Sequence, residues 1–166
     1  MNTLALSFVS IVLIGVGATL TFDLWGLFIK QTFRVPPSSI CLVGRWIRYM
    51  PDGVFRHANI GATARKRAEC QVGWMAHYLI GIIFAGVFAA IVGDPWLQSP
   101  MPIPAIIFGV ITVLAPFFII QPLFGFGVAA SRTANPMQAR ARSVMNHVAF
   151  GVGLYIFGWL VNWSLW

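Results

Sequence analysis

Four apolar stretches dominate the chain, broken by little more than glycine, alanine and hydroxyl residues. They run over about 3–29, 71–93, 103–128 and 144–164. Each exceeds the roughly 20 residues that a helix needs to cross the hydrocarbon of a bilayer. The pattern predicts an all-α integral membrane bundle of four transmembrane helices, one membrane domain over 1–166. A second periodicity lies in the polar segment 30–70. Residues 38–50, SSICLVGRWIRYM, put Ile40, Val43, Ile47 and Met50 on one helical face and Arg45 and Arg48 elsewhere. Ser38 or Ser39 can cap this helix, and Pro36-Pro37 stops any continuation of the first span. The expectation is a short amphipathic interfacial helix on the cytoplasmic surface, as a membrane anchor or as a lid over a site. Pro116 and Pro122 predict a kink in the third span, from a cavity or a packing bend.

Charge orients the spans. Only 9% of residues are charged, against about 25% in soluble domains, so a water-facing surface cannot be built from this chain. Eight of the 11 Lys and Arg residues fall in 30–70, and Arg132, Arg140 and Arg142 fall in 129–143. The connection 94–102 carries Asp94 and prolines. The positive-inside rule places the two basic segments in the cytoplasm and both termini outside. Trp25, Trp46 and Trp74 then mark the inner interface, and Trp96, Trp159, Trp163 and Trp166 the outer one. The net charge of +7 is therefore no nucleic-acid footprint. The partner it implies is the bilayer itself, with anionic inner-leaflet lipids at Arg65-Lys66-Arg67. No Lys or Arg precedes the first apolar run, so it reads as a retained helix and not a cleaved signal. Cys41 and Cys70 lie in or beside the first basic segment, and a cytoplasmic placement predicts reduced thiols. Their spacing matches no zinc-finger pattern.

Ionisable side chains within a span are costly and usually face inward. Three stand out: Asp23, His77 and His147, with Gln121, Asn146, Thr19 and Thr21 as neutral companions. At a rise of about 1.5 Å per residue, Asp23 and His77 each lie about 9 Å from the cytoplasmic end of their spans. Gln121 lies about 10 Å in and His147 about 5 Å. A polar layer at one level admits four readings. It is a packing lock in which Asp23 pairs with a histidine, or a proton or ion relay. It is a metal site of Asp23, His77 and His147, the ligand set of non-haem iron or catalytic zinc, or a haem held by the two histidines. No HExxH, P-loop, nucleophile-elbow or CxxCH motif selects among them. Arg45, His57 and Glu69 form a cytoplasmic rim. His57 and Glu69 read as solvated loop residues, and Arg45 as a contact to a lipid headgroup or another phosphate or carboxylate. His77 and Gly81 in span two match His147 and Gly151 in span four, both HxxxG after a basic loop, which suggests two related helical hairpins. Gly81, Ala85 and Ala89 form a small-residue face for close helix contact, within the bundle or across a dimer.

The runs GATLTFDLWG (17–26), LVGRW (42–46), GVFRHANI (53–60), ECQVGWMAHYLIG (69–81) and HVAFGVGLY (147–155) resemble the bacterial integral-membrane family known as domain of unknown function family 2938. The resemblance covers nearly the whole chain and implies a small polytopic inner-membrane protein with no assigned activity. Asp23, Arg45, His57, Glu69, His77 and His147 all lie inside the resembling runs.

Three functions are expected of such a chain. The first is small-solute or proton-coupled transport or binding through the Asp/His layer, by a homodimer or a larger complex, since four helices are few for a pathway. The second is a membrane enzyme or electron carrier with a metal ion or haem as cofactor. The third is an accessory structural subunit of a larger membrane complex.

Overall fold

A computed structural model of the chain describes residues 3–35 and 39–165, with side chains over 8–35 and 39–164. The Pro36-Pro37 stop, Ser38 as a cap and Trp166 as an interfacial residue lie outside the described residues. Among the described residues all regular structure is helical. It comprises α1 (Thr3–Phe33), α2 (Ile40–Tyr49), α3 (Glu69–Gln98), α4 (Pro102–Thr112), α5 (Gln121–Leu123) and α6 (Pro136–Leu165). Short 3-10 turns occupy Met50–Asp52, Ile60–Ala62 and Val128–Ala130. Four stretches are long and apolar enough to cross a membrane: Phe8–Phe33, Glu69–Gln98, Pro102–Leu123 and Pro136–Ser164. By length and composition these four helices among the described residues are those of a membrane protein.

Three of the helices outrun the apolar stretches that announce them. The first continues to Phe33, and the last begins at Pro136 among Gln138, Arg140 and Arg142. Apolar counting reads the hydrocarbon crossing, whereas helical hydrogen bonding continues into the polar flank. The second ends its apolar run at Gly93, whose φ of 68° and ψ of −175° break the helix before it resumes through Pro95. The third stretch ends sooner than expected, at Leu123 and not at 128. The proline-bearing part is wide-wound as a π-helix over Pro116–Ile120. Each proline lacks an N–H and crowds the carbonyl one turn back, and the wide turn is a short π segment within the span. Gly125 then adopts a φ of 86°, where a Cβ would fall on the Ala58 carbonyl, so the chain turns there.

The fold divides into two compact units. The first comprises 1–37, 78–112 and 145–166. Its core gathers Ile14 and Ala18 of α1, Ala85, Phe88 and Trp96 of α3, Ala105 of α4, and Phe150, Leu154 and Val161 of α6. Trp96 is buried, edge-on to Phe88 at 4.7 Å, with Nε1 donating to the Met101 carbonyl at 2.9 Å. It is thus a core residue and not part of an interfacial belt. Trp159 and Trp163 are exposed and stacked at 6.3 Å. Asn162 Nδ2 caps the end of α3 through the Leu97 and Gln98 carbonyls, each at 3.0 Å.

Glycines set the helix crossings in this unit. A Cβ on Gly15 would sit 2.6 Å from the Ile82 Cα, and Gly81 abuts Thr19 and the Gly15 carbonyl. A Cβ on Gly109 would sit 2.6 Å from both the Gly151 Cα and the His147 carbonyl. The glycine of each HxxxG segment therefore meets the span before it: α3 against α1, α6 against α4. This is the close, small-residue contact of membrane helices, and it gives the two segments one shared packing role.

The second unit comprises 38–77 and 113–144. Here α2 crosses the first turns of α3 at Gly44 and Gly73, where a Cβ on either would overlap backbone of the other helix. The crossing brings the Cys41 and Cys70 Cα atoms to 4.1 Å, and the two are joined as a disulfide. This corrects the expectation of free thiols. The expectation rested on a cytoplasmic placement and on spacing along the chain, whereas the fold lays α2 against the start of α3 and brings the two sulfurs together. The buried face of α2 also differs from expectation. Gly44 and Arg45 are buried, while Ile40, Val43 and Ile47 are half-buried. Ser39 takes the N-cap position without a side-chain capping bond.

Candidate functional site

Asp23 and His147 belong to the first unit. Both are half-buried in long apolar helices. Tyr78 Oη of α3 donates to Asp23 Oδ2 of α1 at 3.1 Å. His147 Nδ1 of α6 lies 2.7 Å from Thr112 Oγ1 at the end of α4. That hydroxyl also lies 2.5 Å from the Gly109 carbonyl, to which it can donate. A hydroxyl can meet either tautomer of the ring, accepting from a protonated Nδ1 or donating to a bare one. Phe22 meets the imidazole edge-on at 5.6 Å. The hydroxyls of Thr19 and Thr21 are bonded to Gly15 and Gly17 carbonyls of their own helix, at 2.8 and 2.9 Å. Asn146 is buried, and its Oδ1 has no hydrogen-bond partner.

The first unit also holds an apolar groove of about 720 Å³ between α1 and α6. Leu24, Trp25 and Phe28 line one wall, and Met145, Val148 and Val152 the other. Neither Asp23 nor His147 lines it. The groove and the ionisable groups are separate features.

His77, Gln121 and the rim residues belong to the second unit. His77 is half-buried with its ring edge on Trp74 at 5.8 Å. Gln121 Nε2 points to Ser143 Oγ at 3.4 Å, and its Oε1 is buried without a partner. Arg45 and Glu69 of the rim are densely hydrogen-bonded. Arg45 and Glu69 are 6% and 7% exposed, so neither is a solvated or lipid-contacting group. Arg45 Nε and Nη2 each donate to a Glu69 oxygen at 2.8 Å. Arg45 Nη1 donates to the carbonyls of Ile60 at 3.0 Å and Thr63 at 3.1 Å. The backbone N–H of Lys66 donates to Glu69 Oε2 at 2.9 Å. The Glu69 hydrogen bonds raise the Arg45 pKa above its already high value, against the opposing effect of burial. His57 is likewise buried, not solvated. Its ring lies edge-on to Tyr49 at 5.0 Å, and its Nε2 has no partner. Its backbone N–H and that of Ile60 donate to the Leu123 and Phe124 carbonyls, fixing 57–60 on the corner after α5.

Among the described residues no group of three or more His, Cys, Asp and Glu side chains is arranged to hold a metal ion. Residues 12–161 match the family described as protein of unknown function (DUF2938). The chain belongs to that family. No curated protein and no solved structure matches it. The DUF2938 match includes every residue named above as an ionisable or rim group.

Sequence reasoning missed Tyr78, Thr112 and Ser143. Tyr78 stands beside His77, and its hydroxyl was the available signal. A threonine in an apolar helix carries no such mark, because most bond to their own helix as Thr19 and Thr21 do.

Proposed function

We propose that the protein couples the movement or binding of a small solute to protons in the membrane, with Asp23 and His147 as proton-carrying groups. One observation carries this reading. Two ionisable side chains within spanning helices each rest on a hydroxyl from a different helix, Asp23 on Tyr78 and His147 on Thr112. A hydroxyl both donates and accepts, so it accommodates either protonation state of its neighbour. Thr112 can keep its hydrogen bond to the His147 ring whether the ring holds one proton or two. The buried Asn146 Oδ1 adds an acceptor next to His147 in sequence. His77 and Gln121 are the corresponding polar groups of the second unit. The positive-inside rule supports cytoplasmic 30–70 and 129–143, external termini and α2 on an anionic inner leaflet. Four helices enclose little space, so the solute path is assigned to a homodimer or a larger complex.

The test is proton flux in liposomes loaded with a pH-sensitive dye and driven by a potassium diffusion potential. Wild-type protein is expected to exceed empty liposomes, and Asp23→Asn and His147→Gln to lose most of that excess. Equal flux from wild type and both variants overturns the proposal.

A further inference from the structure

Cys41 and Cys70, bonded across a sequence separation of 29, are both partly exposed. Each is the second residue of a helix, Cys41 in α2 and Cys70 in α3. The first turn of a helix presents unpaired N–H groups and the positive end of the macrodipole. A thiolate at that position is stabilised relative to its thiol. The carboxylate adjacent to Cys70, Glu69, is neutralised by Arg45. Reduction of this pair therefore releases two sulfurs that are both favoured as thiolates, and a disulfide with stabilised leaving thiolates is cleaved faster and held less tightly.

The bond is also redundant as a staple. Arg45 joins Glu69 and the carbonyls of Ile60 and Thr63, and so closes the same segment without sulfur. The Gly44–Gly73 crossing keeps α2 on α3 independently of it. The charge of 30–70 favours the cytoplasmic side. There a disulfide persists as one state of a redox couple, not as a permanent link.

We propose that Cys41–Cys70 is a thiol–disulfide exchange site whose electron donor is a dithiol of the Cys-x-x-Cys class. One thiolate of the donor attacks a sulfur of the pair. The Cys41–Cys70 bond breaks, a mixed disulfide forms, and the other cysteine leaves as a thiolate. The second donor thiol loses its proton and attacks the mixed disulfide, releasing the remaining cysteine. Two electrons pass to the protein, whose two cysteines leave as thiolates; the donor gives its protons to solvent, from which either thiolate can be protonated, and the donor ends as a disulfide.

The experiment uses the whole protein purified in mild detergent without reductant. A catalytic amount of a Cys-x-x-Cys oxidoreductase, kept reduced, is added. Samples are acid-quenched and labelled with a bulky maleimide that shifts the band once per thiol. Two shifts per chain are expected from native protein, with proteolysis within 50–68 unchanged after reduction because the Arg45 clasp remains. With glutathione as reductant, the native pair is expected to open several-fold faster than the same pair in denatured chain. Cys41→Ser and Cys70→Ser assign the bands. Labelling that appears only after denaturation, slower opening in the native state, or reduction that exposes 50–68 to protease would each overturn the proposal.

Discussion

Arg45 grips Glu69 end to end, Nε on one carboxylate oxygen and Nη2 on the other, both at 2.8 Å. Residues 24 apart in sequence are thus fixed in the parallel fork that only a guanidinium can form. Both side chains are buried, so removing one leaves the other as an unpaired charge. Arg45→Ala or Glu69→Ala is expected to destabilise the protein by about 3–5 kcal/mol. Arg45→Lys is expected to recover little of that, because an ammonium cannot reach both oxygens and the Ile60 and Thr63 carbonyls together. Denaturant unfolding in mild detergent measures it. A loss below about 1 kcal/mol for Glu69→Ala, the scale of an exposed pair, would contradict the buried clasp.

Lys66 provides the contrast. Its Nζ lies 2.6 Å from Asp52 Oδ2 and 4.3 Å above the Tyr49 ring, but the two charged side chains are 31% and 53% exposed. Water screens such a pair. Lys66→Ala is expected to cost no more than about 1 kcal/mol, measured under the same conditions. Raising the salt should shrink this small difference and leave the Arg45–Glu69 difference nearly unchanged.

Tyr78→Phe removes one oxygen and keeps the ring. Hydrogen bonds between membrane helices average about 0.6 kcal/mol and reach about 1.7 in double-mutant cycles. A cycle of Tyr78→Phe with Asp23→Asn is expected to give a coupling energy in that range. Zero coupling would mean that the Tyr78–Asp23 contact contributes nothing to the fold. The same variant separates packing from function. If Asp23 carries a proton, Tyr78→Phe alters flux more than its small stability change predicts.

The spans were legible because crossing a bilayer demands length and apolarity, and both are local properties of the chain. Asp23 and His147 were legible for the same reason, since an ionisable residue in such a run is conspicuous. Their partners were not. Tyr78 and Thr112 become significant only once α3 meets α1 and α4 meets α6. The rim was misread more deeply. Along the chain Arg45 reads as part of a surface helix facing headgroups and His57 and Glu69 as loop residues, but α2 folds back on the head of α3 and the 57–60 strip bonds to the corner after α5. That folding back also joins Cys41 to Cys70. Net charge and spacing along the chain do not report such a return. The pair of glycines at 44 and 73 was its one sequence trace, and glycine is too common here to be read alone.

Glycine position offers the sharpest test of the helix crossings. A Cβ at Gly109 would lie 2.6 Å from backbone atoms of Gly151 and His147, and backbone cannot rotate aside. Gly109→Ala must therefore push α4 from α6. The expected cost is about 1–3 kcal/mol, the range for overpacked sites. The displacement also strains the Thr112–His147 bond one turn further along α4. Gly26 of α1 meets nothing within 4 Å of its would-be Cβ. Gly26→Ala adds helix propensity without a clash and is expected to leave stability unchanged or raise it by up to about 1 kcal/mol. Thermal unfolding of the two variants beside wild type decides the matter. Opposite signs support the crossing as described, and equal effects would mean that α4 and α6 do not meet at Gly109 and Gly151.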